Sequence, residues 1–187
     1  MSTLKKFLHA ILFAAMIASW SVNNIGAVSD HEPTASTIRV SPSGSDISGC
    51  GSEAQPCRTI QFAVNQALTG DIILVAEGVY KYDQALDPCT SLTTRAVVCV
   101  NDKQLSILGG YATNNWTVAD PVNNPTVIDG EASRRGVAVL RVSAVSSLRM
   151  EGFTIKNGRA FGSPVGNTYL GHAFGGGMWA SKTFVNL

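Results

Sequence analysis

The 187-residue sequence lacks any basic run or arginine-rich stretch. Two of its 14 basic residues, Lys5 and Lys6, lie within residues 1–27, which contain no acidic residue. The rest of the chain therefore has 12 basic residues against 13 acidic ones, a formal net charge of −1. A nucleic-acid-binding surface needs concentrated positive charge. The sequence thus argues against a nucleic-acid partner.

An apolar run long enough to cross a membrane is also lacking. The longest apolar stretch, residues 7–20, is shorter than the roughly 20 residues that a spanning helix needs. Lys5 and Lys6 precede it, and Ile25-Gly26-Ala27 follows, which is the pattern of a secretory signal peptide cut after Ala27. No cysteine ends the stretch, which argues against a lipid anchor. We expect a secreted or cell-surface protein with no membrane span after cleavage.

The sequence contains no Ser/His/Asp grouping, phosphate loop or metal-ligand spacing. Outside the signal peptide histidine occurs only as His31 and His172. His172 is the residue type of a general base near neutral pH. It lies among Tyr169, Phe174 and glycines, so we interpret it as a loop residue. The sequence therefore favours a non-enzyme, and we assign no catalytic residue and no cofactor.

Four cysteines follow the signal peptide: Cys50, Cys57, Cys89 and Cys99. An even number in an exported chain indicates disulfides, and four cysteines allow three pairings. Pairing of nearest neighbours would close two loops, each stabilising the fold by about 2–3 kcal/mol. The spacings of seven and ten residues do not match the close CxxC pairs of zinc sites. We therefore predict disulfides rather than a metal site.

Short apolar runs closed by glycine or asparagine-glycine are abundant. β-Branched residues suit a buried pleated surface, and glycine supplies the turns. Such units cannot bury a core alone and must stack on one another. The predicted strands are residues 37–40, 72–75, 105–110, 126–130, 137–142 and 148–158. Residues 81–103 are predicted to be an irregular excursion that holds the second cysteine pair.

One amphipathic helix is predicted ahead of most of these runs. Thr59 is its expected N-cap, and Gly70 its expected left-handed residue beyond the C-terminus. We expect residues 56–70 to cover the end of the strand stack and block edge pairing. The apolar face has helical spacing and consists of Ile60, Ala63, Val64, Ala67 and Leu68.

Five segments occur in a characteristic order: SPSGSD at 41–46, PCRTIQ at 56–61, GDIILVAEGVY at 70–80, GFTIKNG at 152–158 and GGGM at 175–178. Together they resemble the start of right-handed parallel β-helix proteins of the pectate-lyase-like superfamily. The resemblance is strongest to bacterial exported and surface proteins whose repeats are similar to those of polymorphic outer-membrane proteins. It implies an all-β solenoid with an N-terminal capping helix.

The resemblance also organises the chain into domains. Residues 28–36 are expected to be a flexible leader, and residues 37–187 the cap and first rungs of the β-helix. Rungs of about twenty-odd residues leave room for only four or five. The sequence after the last apolar run contains no polar closing cap, so we expect an N-terminal fragment of a longer protein.

Three functions are compatible with this resemblance. The first is an exported, non-catalytic scaffold that presents loops to a polysaccharide or a cell-surface partner. The second is the N-terminal part of a polysaccharide lyase or glycoside hydrolase whose catalytic rungs are missing. The third is an adhesin or autotransporter-like passenger region. For lyases, the resemblance implies a calcium ion held by several carboxylates and a basic residue that takes a proton. No repeating carboxylate cluster supports calcium here.

The densest polar group is Asp129, Glu131, Arg134 and Arg135. A carboxylate beside arginines would bind an anionic sugar or hold calcium. The alternative is an ordinary Asp-Gly turn with both arginines facing solvent, and we favour it. Asn157 is expected at an inward turn position, where its amide bonds neighbouring backbone.

Aromatic residues in the loops are a second set of candidates, because flat rings stack on sugars or protein partners. The alternative is that each ring covers a gap in its own loop. Phe161 and Phe174 belong to this aromatic set. The candidate ligand-binding residues are Tyr111, Trp116, Asp129, Arg134, Arg135, Tyr169 and Trp179.

Overall fold

The structure is a computed structural model that describes residues 34–90, 92, 95–140, 147–160, 177–180 and 184–186, with side chains up to residue 178. All of them belong to the unit Thr34–Leu187. The predicted signal peptide, Tyr169 and His172 lie outside the described residues. No helix in the described part is long and apolar enough to span a membrane.

The described part consists mainly of strands, with one α-helix and a 3-10 turn at Gln84–Leu86. This agrees with the predicted all-β class. In chain order the elements are β1 Thr37–Val40, α1 Ile60–Gln66, β2 Ile72–Ala76, β3 Gly78–Tyr80, β4 Ala96–Asn101, β5 Gln104–Tyr111, β6 Thr126–Asp129, β7 Arg135–Leu140, β8 Ser147–Glu151, β9 Phe153–Lys156, β10 Met178–Ala180 and β11 Phe184–Asn186.

The strands form three sheets in which every neighbouring pair is parallel. The first sheet has the order β1-β2-β5-β8-β11, the second β10-β7-β4, and the third β3-β6-β9. From β2 onward the chain visits the first, third and second sheets in turn, and then repeats that circuit. Such a circuit fits the parallel β-helix that the sequence predicts.

The core is built from side chains that stack at the same register position in successive strands. Each fully buried aliphatic side chain contributes about 1.5–3 kcal/mol. The second and third sheets add similar inward columns to one continuous cluster. An inward column of the first sheet consists of Ile38, Ile73, Ile107 and Met150, all of them buried.

The predicted N-terminus of the helix is confirmed, but its predicted end is wrong. Thr59 Oγ1 accepts a hydrogen bond from the Phe62 N–H at 3.2 Å. The helix ends at Gln66, and Ala67 has a non-helical ψ of 144°, so Gly70 does not follow the last turn. Leu68 lies beyond the helix and is 71% exposed rather than part of the apolar face.

A lysine from another part of the chain explains this early end. Lys103 Nζ donates to the carbonyl oxygens of Val64, Asn65 and Ala67 at 2.8, 2.9 and 2.8 Å. These hydrogen bonds satisfy helix-terminal carbonyls that a glycine-based cap would otherwise serve. Burial lowers the pKa of Lys103.

The helix also covers the edge of the second sheet. Gln61 is buried in α1, and its side-chain oxygen accepts from the Cys99 N–H at 2.6 Å. Its side-chain nitrogen donates to the Cys99 carbonyl oxygen at 3.1 Å. Cys99 lies in β4, which is the edge strand of the second sheet in the described part of the chain. One glutamine thus supplies the two hydrogen bonds that another strand would have made.

The predicted irregular excursion at residues 81–103 is wrong in part, because it contains β4. Ala96–Val100 are buried, since the inward side chains join the core and the outward ones are covered by a second cluster. That outer cluster includes Cys89, Cys99 and Ala138. A strand covered on both faces shows no apolar–polar alternation.

Both pairs of neighbouring cysteines are joined by disulfides. Cys50 and Cys57 have Cα atoms 5.0 Å apart, and those of Cys89 and Cys99 are 6.1 Å apart. The second bond ties the segment that precedes β4 to the outward face of that strand. The described cysteines are therefore structural cross-links.

Candidate functional site

Three charged residues line up where the strands of the third sheet end. Tyr80 pairs with Ile128, so Lys81, which follows β3, continues in line with Asp129 at the end of β6. Asp129 in turn pairs with Lys156 at the end of β9. Neighbouring strands lie about 4.8 Å apart. We call Lys81, Asp129 and Lys156 the charged column.

Asp129 is the fixed centre of this column. Its Oδ1 accepts from the Glu131 N–H and from the Asn157 side-chain amide, each at 2.9 Å. Lys156 Nζ lies 3.7 Å from Oδ2. The Glu131 N–H, then the Asn157 amide, and then the charges of Lys156 and Lys81 lower the pKa of Asp129. The carboxylate is therefore ionised at neutral pH.

The turn that follows β6 depends on the same carboxylate. Glu131 and Ala132 both have left-handed backbone conformations, with φ of 52° and 53°. Such conformations are costly for residues with a Cβ. The Asp129 carboxylate accepts the Glu131 N–H, and the Asn157 carbonyl oxygen of the next rung accepts the Ala132 N–H at 2.8 Å. These bonds hold the turn against the column.

A second carboxylate links the column to an arginine. Glu131 Oε1 lies 3.4 Å from Lys81 Nζ, and Arg134 Nη1 pairs with Glu131 Oε2. The Arg134 guanidinium carbon lies 4.5 Å from the centroid of the Tyr82 ring, which is a cation–π contact. The Tyr82 hydroxyl donates to Asp87 Oδ2 at 3.1 Å. Burial, with the nearby Asp87 carboxylate, raises the pKa of Tyr82.

Three of the four predicted polar residues lie at the charged column, and the fourth is buried elsewhere. Asp129, Glu131 and Arg134 meet at the column. Arg135 is buried as the first residue of β7, and burial lowers its pKa. The expectation that both arginines face solvent is therefore wrong for Arg135. As the first residue of β7, Arg135 shares a strand face with Val137 and Val139, which belong to the core.

Only two of the six predicted aromatic residues have described side chains, and neither is exposed. Tyr111 and Trp116 are both buried, and their rings stack with centroids 6.3 Å apart. They pack with Leu74 and Ala76 on the first sheet. These two rings therefore cover their own part of the fold, which is the alternative to ligand stacking. Trp179 belongs to β10, but only its backbone is described. Phe161, Tyr169 and Phe174 lie outside the described residues.

Asn157 corrects another expectation. It has a left-handed φ of 51°, as its turn position predicts, but it is exposed. Its amide bonds the Asp129 carboxylate of the neighbouring rung rather than nearby backbone. Lys81 and Lys156 were missed by sequence reasoning. The signal that identifies them is their common place, directly after the last inward residue of a strand.

The charged column does not fit the calcium ion that the resemblance implies for lyases. Calcium needs six to eight oxygen ligands. Asp129 Oδ1 already accepts two N–H groups, and the Lys156 ammonium faces Oδ2. Among the described residues, Asp87, Cys89 and Cys99 form a group of potential metal ligands. The two sulfurs are joined in a disulfide and supply no thiolate.

Most of the chain matches a known protein family. The family model described as "Protein of unknown function (DUF1565)" matches residues 42–176, which is most of the chain. That family is associated with parallel β-helix and pectate-lyase-like proteins. No curated protein and no solved structure matches the chain.

Proposed function

Because the chain belongs to the DUF1565 family of proteins of unknown function, we propose that it is an exported, non-catalytic scaffold whose outer surface binds carbohydrate. The scaffold is a right-handed parallel β-helix of the pectate-lyase-like kind, similar to bacterial surface proteins with polymorphic outer-membrane-protein-like repeats. The parallel register of all three sheets supports this architecture. Two disulfides support export, because such bonds persist in oxidising compartments.

The observation that carries the proposal is the charged column. Parallel register brings Lys81, Asp129 and Lys156 to one outward line across three rungs. A solenoid offers extended surfaces of this kind to long ligands. Arg134 and Tyr82 lie beside the line and add residue types that are frequent at binding surfaces.

The chemistry of Asp129 favours binding over catalysis. A general acid or base works best when its pKa is close to the operating pH. The pKa of Asp129 is instead lowered, and its Oδ1 is fully engaged by the Glu131 N–H and the Asn157 amide. A carboxylate held in this way stays ionised at neutral pH and is a weak base.

Affinity electrophoresis of the purified full chain tests the proposal. We expect retarded migration in gels that contain an acidic polysaccharide, and a loss of that retardation in the double variant Lys81→Gln/Lys156→Gln. The double variant Arg58→Gln/Arg149→Gln is a matched control, because both arginines lie outside the column. Their side chains are 56% and 49% exposed, against 59% and 48% for Lys81 and Lys156.

Two results contradict the proposal. One is unchanged migration of the full chain in every polysaccharide gel. The other is the appearance of unsaturated uronate ends when the chain is incubated with polygalacturonate or alginate and calcium. The second result means that the chain is a lyase.

A further inference from the structure

We infer that the charged column binds a linear glycan in which anionic and neutral sugars alternate, with the glycan running along the stacking direction of the rungs. This inference rests on the proposed carbohydrate-binding function and specifies its ligand. It follows from the order of the charges, from the strength of their pairs and from the fixed position of Asp129.

The charges alternate from rung to rung. Lys81, Asp129 and Lys156 present an ammonium, a carboxylate and an ammonium on three adjacent strands. The two lysines are therefore two rungs apart, about 9.6 Å. A pyranose in an extended glycan chain advances by nearly one rung. A glycan chain along the column thus meets positive charge at every second sugar.

The two lysines are available to an anionic ligand. Lys81 pairs with Glu131 at 3.4 Å and Lys156 with Asp129 at 3.7 Å, and both side chains are about half exposed. Exposed ion pairs of this kind contribute little to stability. An ammonium group therefore exchanges its protein partner for a ligand carboxylate or sulfate at small cost.

Asp129 sets the selectivity. Its side chain is ionised, only 13% exposed and fixed by two hydrogen bonds, so its negative charge stays in one place just beneath the surface. An anionic sugar placed opposite it is repelled, whereas a neutral sugar has hydroxyl or amide N–H groups to donate. A polymer with a charge on every sugar places one charge against Asp129. This unfavourable contact discriminates against such polymers.

An apolar strip runs beside the column. Val79 and Val127 lie two residues before Lys81 and Asp129, so they share the outward face. Val79 is 50% exposed. The C–H face of a sugar ring that packs on this strip removes apolar surface from water. A neutral sugar opposite Asp129 therefore donates hydrogen bonds from its polar edge and packs its apolar face on this strip.

The test compares three labelled six-sugar ligands on the purified full chain by a titration in solution. They are a hyaluronan fragment, which alternates glucuronate with N-acetylglucosamine, a polygalacturonate fragment and neutral chitohexaose. We expect the hyaluronan fragment to bind about tenfold more tightly than polygalacturonate, and chitohexaose to bind most weakly. Lys81→Gln and Lys156→Gln are each expected to weaken hyaluronan binding by about three- to tenfold.

Asp129→Asn is the decisive variant. It removes the negative charge but keeps Oδ1, which accepts the Glu131 N–H. We expect this variant to bind polygalacturonate about three- to tenfold more tightly. The preference for hyaluronan over polygalacturonate therefore becomes smaller. Arg58→Gln, which removes a charge outside the column, is expected to leave all three affinities unchanged. Circular dichroism melts confirm that each variant is folded.

Several outcomes overturn the inference. Tighter binding of polygalacturonate by the unaltered chain, or an unchanged preference in Asp129→Asn, shows that alternation is not recognised. Equal binding of chitohexaose contradicts the inference but leaves the proposed carbohydrate-binding function standing. Failure to bind any glycan contradicts both.

Discussion

The side-chain amide of Gln61 has the same donor and acceptor as a peptide group, and both are bonded to Cys99. These groups are buried, so removing their partner leaves an N–H and a carbonyl oxygen without hydrogen bonds. We predict that Gln61→Leu lowers the free energy of unfolding by about 2–4 kcal/mol, measured by urea denaturation. Gln55→Leu makes the same chemical change at an exposed position and should have little effect. Equal losses in both variants would show that the Cys99 bonds are unimportant.

Asp129 leads to a pH-dependent prediction at the same scale. Its pKa is lowered in the folded state, so the stability it contributes is present above its unfolded pKa of about 3.9 and is lost as the pH falls through its folded pKa. Asp129→Asn should therefore melt at a lower temperature than the unaltered chain at neutral pH. The difference should shrink steadily below about pH 4. A difference that stays constant over this range would contradict the assignment.

At the scale of elements, the end of α1 depends on a residue outside the helix. Lys103 Nζ bonds three carbonyl oxygens at the helix C-terminus. We predict that Lys103→Met costs about 1–3 kcal/mol and increases amide hydrogen exchange in Val64–Ala67. Lys81→Met removes an exposed lysine that serves no helix, so it should leave exchange there unchanged. Unaltered exchange in Lys103→Met would mean that the cap does not hold the helix.

Some of the elements are predictable from the sequence and others are not. Thr59 and the glycine-closed runs are predictable because capping and turn chemistry are local signals. The strand β4 is missed because both of its faces are covered, which removes the alternation. The helix end is misplaced because its cap comes from Lys103, 36 residues beyond Ala67.

The candidate site was predictable only in part, because some of its residues are brought together by contacts that are distant in sequence. Asp129 and Arg134 are close in sequence, so their polar cluster is visible there. Lys81 and Lys156 join it only through strand register, which depends on how whole rungs stack. The burial of Arg135 likewise depends on the exact residue at which β7 begins.

For the whole molecule, the closeness of the rungs is set by small residues at the corners. A Cβ on Gly152 would lie 2.5 Å from the Gly109 carbonyl oxygen, and Gly152 has a left-handed φ of 75°. Gly152→Ala therefore combines backbone strain with a clash between adjacent rungs. We predict a loss of about 2–4 kcal/mol in urea denaturation.

Gly70→Ala separates these two effects. Gly70 has a similar conformation, with φ of 97°, but a Cβ there would meet nothing within 4 Å. Gly70→Ala should lower the free energy of unfolding by only about 1 kcal/mol, because it adds only the strain of the left-handed conformation. Equal losses at Gly152 and Gly70 would show that the contact between rungs adds nothing.

The charged column has a consequence for how the chain tolerates insertions and deletions. Its three residues are separated by 48 and 27 positions along the chain, yet they lie on adjacent strands. An insertion in the loop between β5 and β6 lengthens that loop and moves none of the charges. A one-residue deletion within β6 instead exchanges its inward and outward faces and turns the carboxylate into the core. Relatives with the same surface are therefore recognised by comparing the residue that follows the last inward residue of each strand, rather than by a contiguous motif.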